Sequence, residues 1–353
     1  MATAAKTKPI PTPAASARRR TAPARGGLAA LAGRDFIDLA DFGPREFAAL
    51  LGLAADMRGQ PRRYQHALAG RGLAMIFEKP SLRTRVTFDV AMQSMGGYTV
   101  FLDFTDSPLG EREDIMDVAR NLELWLDGIV ARTFEHESIQ LLAEAARVPV
   151  INGLSDASHP CQALADFLSL RLLFPGFRSP QSKTRPLRLA YVGDGNNTLH
   201  SLLEAAALAG IEMSVATPPG YEPSAAVLEG ARRVARTTGA RLETRHEVGA
   251  AVAGAHAVYT DTWASMGKEA EATRRARDFA GYQVTPAVMA KAAPGARFMH
   301  CLPAHRGQEV ASEVMDSPAS IVYLQAENRL HAQKAVLASL LGGPAAGNGR
   351  QAG

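Results

Sequence analysis

The fold is decided by the stretch Phe77-Glu78-Lys79-Pro80-Ser81-Leu82-Arg83-Thr84-Arg85, which joins a strand to a helix. The apolar run Leu73–Phe77 has the length of a buried strand, and Pro80 ends it. Ser81 belongs to the residue types that cap helix N-termini, and the helix that follows it stops at Gly96-Gly97. This strand and helix are the first of several such pairs along the chain.

The first turn of this helix carries Arg83, Thr84 and Arg85. Because the N-terminus is the positive end of the helix dipole, two arginines there lower stability unless a negative group lies among them. A phosphate would accept hydrogen bonds from the free backbone N–H groups, the Ser81 and Thr84 hydroxyls and the guanidinium groups. The alternative is a surface helix whose arginines point into water, as at most basic helix starts. A phosphate site therefore needs support from the rest of the chain.

Strands alternate with helices throughout, which predicts an α/β protein with parallel sheets and helices on both faces. Because 353 residues are too many for one ordinary core, we predict two similar-sized parallel-sheet α/β domains. The predicted strands are Leu73–Phe77, Tyr98–Leu102, Gly128–Thr133, Val148–Asn152, Leu187–Val192, Met213–Thr217, Ala257–Thr260, Phe298–Leu302 and Ile321–Tyr323.

Composition sets the limits of the domains. Residues 1–34 hold seven basic and no acidic residues, so the rest of the chain carries −3 against a total of +4. This Ala-, Pro- and Arg-rich segment cannot build a core and is predicted to be a disordered basic tail. The Pro- and Gly-rich segment 174–186 predicts a surface connection. The predicted domains are then 35–174 and 187–328, with a C-terminal helix at 329–342 that packs back on the first domain.

Composition also excludes several classes of function. No apolar run is long enough to span a membrane, and Cys161 and Cys301 form no disulfide framework or thiolate zinc motif. The basic charge lies in the tail and no nucleic-acid motif accompanies it, so we predict no nucleic-acid partner. We predict a cytoplasmic protein, with a mitochondrial transit peptide as the alternative interpretation of the tail.

A glycine-rich turn follows the strand Leu187–Val192. Gly193-Asp194-Gly195 is similar to the start of a dinucleotide-binding loop, but the third glycine is missing. The next strand ends in Thr217-Pro218 and not in the acidic residue that would hold a ribose. A nicotinamide or flavin cofactor is therefore not expected. The pair Asn196-Asn197, at the carboxyl end of the strand, instead suits a small polar ligand.

Four motifs occur in a fixed order: FEKPSLRTR at 77–85, HPCQ at 159–162, DTWASMGKE at 261–269 and HCLPA-HRGQEV at 300–310. Together they resemble the aspartate/ornithine transcarbamylase family over roughly residues 35–342, and the SMG of the third motif resembles its ornithine-type members. The resemblance implies transfer of the carbamoyl group of carbamoyl phosphate to the side-chain amine of ornithine. It also implies an active site in the cleft between the domains, no metal or organic cofactor, and a homotrimer or a multiple of trimers.

The resemblance assigns a role to each motif residue. The residues with roles in the chemical step are Arg132, His159, Asp261 and Cys301. Carbamoyl phosphate is expected at Ser81, Leu82, Arg83, Thr84, Arg85, Arg132, His159, Gln162, Cys301, Leu302 and Arg329. Ornithine is expected at Asn197, Asp261, Ser265 and Met266, beneath a lid that ends at Gly267. A carboxylate at Asp261 suits the positive α-amino group of ornithine. Cys301 is not expected to be a covalent nucleophile, because the attacking amine belongs to the substrate; a small buried hydrophobe is the alternative.

Two positions depart from the family pattern. Leu82 stands where Thr is most frequent, with a side chain expected to face away from the phosphate. Pro108 stands where the family has Gln or His reaching into a neighbouring subunit's site, and Arg112 is the candidate substitute. A transcarbamylase for acetylornithine or putrescine and a non-catalytic paralogue are the alternatives. The presence of Arg132, His159 and Cys301 argues against the second.

Overall fold

The computed structural model describes residues 28–175, 186–264 and 271–342, which contain nine strands and twelve α-helices. The strands are β1 (Gly72–Phe77), β2 (Tyr98–Asp103), β3 (Gly128–Arg132), β4 (Val150–Leu154), β5 (Arg188–Val192), β6 (Glu212–Ala216), β7 (Arg241–Arg245), β8 (Ala257–Thr260) and β9 (Arg297–His300). The helices are α1 (Pro44–Gly59), α2 (Leu82–Ser94), α3 (Ile115–Trp125), α4 (His136–Ala145), α5 (Pro160–Leu173), α6 (Asn197–Ala209), α7 (Ala225–Thr238), α8 (Val248–Val252), α9 (Ala272–Asp278), α10 (Pro286–Met289), α11 (Ser312–Met315) and α12 (Val322–Leu341).

The strands form two parallel sheets, which confirms the predicted fold class. The first has the order β2-β1-β3-β4 and the second the order β7-β6-β5-β8-β9. In each sheet, successive strands are added first toward one edge and then toward the other, and this reversal lies between β1 and β3 in the first sheet and between β5 and β8 in the second. Loops that leave the carboxyl ends of such neighbouring strands diverge and open a crevice, where open α/β sheets bind ligands. The fold therefore offers two crevices.

Helices cover both faces of each sheet. The largest hydrophobic cluster includes residues of α1, α5, α6 and α12, for example Phe47, Phe167, Leu203 and Val336. Two smaller clusters include residues of the first and second sheets, respectively, together with other helices. Because the sheets are covered, β1 and β3 are buried along their whole length. In the described part of the chain, no helix is long and apolar enough to cross a membrane.

The closing helix α12 lies against helices of the first sheet. It contacts α1, α2 and α5, and its Asn328 Nδ2 donates to Ser169 Oγ on α5 at 2.9 Å. Asn328 and Ser169 are both fully buried. This packing brings Arg329 from the end of the chain to the loops of the first sheet.

The structure differs from the sequence predictions in three places. Ile321–Tyr323 is not a strand, because α12 begins at Val322, six residues before the predicted limit of the second domain. β7 was not predicted, since its sequence Arg-Leu-Glu-Thr-Arg is polar and its edge position leaves it mostly exposed. Residues 28–34 are folded rather than part of a disordered tail, because Leu31 is fully buried and Arg34 forms an ion pair with Glu46 at 2.7 Å. Residues 1–27 of the predicted tail lie outside the described residues.

Candidate active site

A cavity of about 600 Å³ lies between the carboxyl ends of the two sheets and joins both crevices. Its walls come from the loops after β1, β3 and β4 on one side and after β5, β8 and β9 on the other. The sequence-predicted residues that line it are Ser81, Leu82, Arg83, Thr84, Arg132, His159, Asn197, Asp261, Cys301, Leu302 and Arg329. Residues far apart in sequence thus meet in one space.

The N-terminus of α2 forms part of one wall. Ser81 has extended backbone and caps the helix, since its Oγ accepts from the backbone N–H of Thr84 at 3.3 Å. The first turn of α2 contains no acidic residue. The positive end of the helix dipole therefore faces the cavity without a carboxylate of its own turn, which is the arrangement that binds anions.

Three arginines add to this positive potential. Arg83 follows Ser81 in the cavity wall, Arg132 ends β3, and Arg329 comes from α12. Burial, and then the neighbouring charges of Arg329 and Arg83, lowers the pKa of Arg132 to about 9. Burial also lowers the pKa of Arg83 and of Arg329. Because like charges held together out of water are costly, the cluster favours a bound anion.

Arg329 joins three predicted site residues. Its guanidinium donates to Gln162 Oε1 at 2.5 Å and to Thr84 Oγ1 at 2.9 Å, and its Nη1 lies 3.3 Å from His159 Nε2. Since arginine can only donate, Nε2 of the neutral imidazole accepts and the proton lies on Nδ1. Burial, followed by the charge of Arg329, holds the pKa of His159 well below its usual range. Among the described residues, Nδ1 is buried and has no hydrogen-bond partner.

The opposite wall centres on Asp261, directly after β8. Its Oδ2 accepts from Asn196 Nδ2 at 2.8 Å, and its Oδ1 accepts from the Thr262 N–H at 2.8 Å and the Cys301 thiol at 2.9 Å. Burial, and then the charge of Asp261, raises the pKa of the Cys301 thiol well above its usual range. Cys301 is therefore a thiol that donates to the carboxylate, and the pair presents negative charge opposite the arginines.

Asp261, His300 and Cys301 each have one possible metal-ligand atom within 4.8 Å of the others. However, His300 Nδ1 accepts from the Leu302 N–H at 2.8 Å, so the neutral ring carries its proton on Nε2. That Nε2 lies 3.3 Å from Glu309 Oε1. Neither ring nitrogen then presents a free lone pair, and these residues do not fit a metal ion in this arrangement.

Some predicted residues lie elsewhere. Arg85 is exposed and stacks on the Phe101 ring, with 3.7 Å from its Cζ to the ring centroid, and does not line the cavity. Gln162 is buried behind Arg329. Leu82 lines the cavity and is 75% exposed. Ser265, Met266 and the predicted lid to Gly267 lie outside the described residues.

The loop with Pro108 lies apart from the cavity. Pro108 and Arg112 line a separate surface cavity beside Trp125. The next residue, Leu109, is anchored by its backbone N–H, which donates to Glu78 Oε1 at 2.9 Å. Neither Pro108 nor Arg112 thus reaches the site of its own chain.

Ser155 was not predicted as a site residue, and Asn196 was predicted only as one of a pair of asparagines that suits a small polar ligand, with no specific role. Asn196 caps α6, accepting from the N–H groups of Thr198 and Leu199, and also holds Asp261. The neighbouring Asn197 spans the cleft and donates to the Ser155 backbone carbonyl at 2.6 Å. The sequence showed the pair of asparagines after β5, but only the structure shows that Asn196 orients the Asp261 carboxylate.

Comparison with known proteins identifies the family of this arrangement. The family model described as the carbamoyl-P binding domain of aspartate/ornithine carbamoyltransferase matches residues 34–171. The model of the Asp/Orn binding domain of the same family matches residues 185–340. The chain belongs to the aspartate/ornithine carbamoyltransferase family. The resemblance predicted from the motifs is confirmed.

Individual carbamoyltransferases are similar over most of the chain. Ornithine carbamoyltransferase from Thermus thermophilus is 48% identical over 316 residues, which cover 90% of this chain and 99% of the relative. The solved ornithine carbamoyltransferase from Pyrococcus furiosus has a TM-score of 0.84 and 46% identity, covering 89% of this chain and 98% of that one. The anabolic enzyme from Campylobacter jejuni has a TM-score of 0.81 and 34% identity, covering 86% and 97%.

Proposed function

We propose that the protein is an ornithine carbamoyltransferase, which transfers the carbamoyl group of carbamoyl phosphate to the side-chain amine of L-ornithine and releases L-citrulline and phosphate. The observation that carries this proposal is the cleft itself. The buried Arg132 and Arg329 and the half-buried Arg83, beside the α2 N-terminus, face the carboxylate of Asp261 across one cavity. This is the charge pattern that a dianionic phosphate and a cationic amino acid need when they react side by side. The 48% sequence identity to ornithine carbamoyltransferase from Thermus thermophilus supports this proposal.

Carbamoyl phosphate would occupy the wall of the first sheet. Its phosphate suits the N–H groups of the first α2 turn, from Leu82 onward, and the guanidinium groups of the arginine cluster. The set proposed for the whole substrate is Ser81, Leu82, Arg83, Thr84, Arg85, Arg132, His159, Gln162, Cys301, Leu302 and Arg329. Within it, the backbone carbonyls of Cys301 and Leu302 are acceptors for the carbamoyl amide, and the Gln162 oxygen, which accepts from Arg329 and lies behind it, would reach the amide only after a movement of Arg329. Arg85 requires movement from its stacked position on Phe101, because it does not reach the cavity.

Ornithine would occupy the wall of the second sheet. We assign its α-amino group to Asp261, and the remainder of its backbone end to Asn197, Ser265 and Met266. The ammonium would replace the Cys301 thiol or join it as a donor to the carboxylate. The side-chain amine would then extend across the cleft toward the carbamoyl carbon.

The reaction needs only these groups. The neutral amine attacks the carbonyl carbon, a tetrahedral oxyanion forms, the bond to the phosphate oxygen breaks, and the amine proton leaves with the phosphate or to solvent. Donors preorganised around the oxyanion lower its energy, and Thr84, Arg132 and His159 are the candidates. Cys301, a thiol whose pKa lies well above its usual range, holds the amino acid in place and is not a base for its amine. Asp261 fixes both.

We assign carbamoyl phosphate to the domain predicted at 35–174 and ornithine to that at 187–328. We further propose that the enzyme assembles as a homotrimer or a multiple of trimers. An apolar patch supports assembly: Leu82, Val86 and Val90 on α2, with Tyr98 and Val100 on the edge strand β2, are each more than a third exposed. Since Leu82 also lines the cavity, a subunit bound to this patch would lie beside the site.

The proposed setting is arginine biosynthesis in the cytoplasm. An anabolic ornithine carbamoyltransferase from Pyrococcus furiosus is 46% identical over 321 residues. The similar proteins from Thermus thermophilus and Pyrococcus furiosus are a bacterial and an archaeal enzyme, respectively. The mitochondrial alternative for the tail therefore has no support from them.

Citrulline formation tests the proposal. Purified protein is incubated with carbamoyl phosphate and, in separate reactions, ornithine, acetylornithine and putrescine, and the carbamoylated product of each amine is measured, which is citrulline only for ornithine. Ornithine should give the highest kcat/KM. A preference for another amine would retain the carbamoyl phosphate site and refute the assignment of ornithine, whereas no turnover with any amine would favour the non-catalytic paralogue.

A further inference from the structure

A buried carboxylate on α5 lies behind the site and outside the cavity lining. Asp166 is fully buried and accepts three hydrogen bonds. Its Oδ1 accepts from Gln162 Nε2 and from Gln325 Nε2, each at 2.8 Å, and its Oδ2 accepts from the Tyr259 hydroxyl at 3.0 Å. The donors come from α5, α12 and β8, so one carboxylate joins elements of both sheets.

An ionised carboxylate can only accept, so it dictates how both amides are turned. With its nitrogen held by Asp166, Gln162 must point its oxygen the other way, where that oxygen accepts from Arg329 Nη1 at 2.5 Å. Gln325 likewise points its oxygen toward the backbone N–H of His300, from which it accepts at 3.0 Å. Reversing either amide would set an N–H group against another N–H group in the dry interior.

Both amide oxygens support groups that line the cavity. Gln162 holds Arg329, which in turn contacts Thr84 and His159. Gln325 holds His300, whose Nδ1 accepts from the Leu302 N–H and so fixes the loop that presents the Cys301 and Leu302 carbonyls. Tyr259 lies on β8, two residues before Asp261, which directly follows that strand.

We propose that Asp166 is a positioning residue for carbamoyl transfer, which turns the Gln162 and Gln325 amides so that Arg329 and the Cys301–Leu302 loop face carbamoyl phosphate. Asp166 touches no substrate and acts through these two amides. The proposal rests on the proposed function, because it names carbamoyl phosphate as the ligand that these groups receive.

The protonation state of Asp166 gives a distinctive readout. Burial raises its pKa to about 6, although hydrogen bonds from Gln325, Gln162 and Tyr259 and the charge of Arg329 oppose the rise. The titratable groups that face it are Tyr259 on β8, Arg329 on α12 and Cys301 after β9. Below about pH 6 the carboxyl gains an O–H, which can lie on Oδ2 and donate to the Tyr259 hydroxyl oxygen, and the neutral Oδ1 then holds the two glutamine amides less strongly than the carboxylate does. The affinity for carbamoyl phosphate should then fall.

The test compares Asp166→Asn with Ser169→Ala, a matched control. Ser169 lies on the same helix and takes a fully buried hydrogen bond from Asn328 on α12, but neither residue contacts the site. The Kd of freshly prepared carbamoyl phosphate is measured by calorimetry at about pH 8, where the carboxylate is ionised. Asp166→Asn should raise this Kd at least about fivefold, because a neutral amide oxygen holds the two glutamine N–H groups less strongly than the carboxylate does, and Ser169→Ala should leave it within about twofold.

A second variant keeps the test decisive should Asp166→Asn fail to fold. Tyr259→Phe keeps the ring and removes one donor that stabilises the ionised carboxyl, so the fall in carbamoyl phosphate affinity near pH 6 should move to higher pH. Equal losses in Asp166→Asn and Ser169→Ala, or an unmoved pH dependence in Tyr259→Phe, would overturn the proposal. Citrulline formation by the wild-type enzyme is measured in parallel, and its absence would refute the proposed function instead.

Discussion

Asp261→Asn tests the division of roles between the two walls of the cleft. The carboxylate accepts from Asn196 and the Thr262 N–H, which approach different oxygens. The NH₂ group of an asparagine at this position must replace one of the two oxygens. Its N–H groups would then face the N–H group of either Asn196 or Thr262, and that hydrogen bond would be lost. The substitution also removes the negative charge proposed to face the α-ammonium of ornithine.

The magnitude follows from these two losses. Removing one partner of a buried charge pair costs about 2–5 kcal/mol, which corresponds to roughly 30- to 5,000-fold. We expect kcat/KM for ornithine to fall within this range. The Kd of carbamoyl phosphate should change by no more than about threefold, because the arginine cluster on the other wall keeps its contacts.

The assay measures initial rates of citrulline formation with ornithine varied at saturating carbamoyl phosphate, together with calorimetric titration of carbamoyl phosphate. Asp127→Asn is the control, since its carboxylate accepts from the Gly72 N–H at the amino end of the first sheet, away from the cavity. An unchanged kcat/KM for ornithine in Asp261→Asn would refute the assignment of Asp261. An equal loss of carbamoyl phosphate affinity would refute the separation of the two walls.

Three further predictions concern assembly, pH and packing. Val86→Glu should shift the mass measured by light scattering toward the monomer, because it places a charge in the apolar patch; an unchanged mass would exclude that patch as the interface. Burial raises the pKa of Glu204 to about 8, above its value in the unfolded chain, so the stability that this group contributes is lost as the pH rises through 8. The variant Glu204→Gln should therefore raise Tm relative to wild type more at pH 9 than at pH 5. A difference in Tm that does not depend on pH would contradict this prediction. Gly195→Ala should lower Tm, since a Cβ there would lie 2.4–2.5 Å from the Glu222–Pro223 backbone; a Tm equal to that of Gly59→Ala, where nothing lies within 4 Å, would contradict this.

Local chemistry made several elements predictable. Pro80 and Ser81 fixed the end of β1 and the start of α2 within one residue, because a proline break and a hydroxyl cap act on the residues next to them. The buried strands were predicted because covered parallel strands are continuous apolar runs. β7 was not predicted, because an exposed edge strand has no such apolar run. The predicted strand at Ile321–Tyr323 was wrong, because a short run of β-branched residues can also begin a helix.

The sequence by itself determined the fold class, the family and the motifs, since these depend on residue types at short spacing. Only the tertiary structure decided which motif residues meet: it turned Arg85 onto Phe101 outside the cavity and brought Arg329 from α12 to Thr84. It also revealed Asn196 and Asp166, whose hydrogen bonds join elements far apart in the chain. The physical reason is that a hydrogen-bond network depends on distances and directions between groups from different elements, and these are set when the two sheets and α12 pack together.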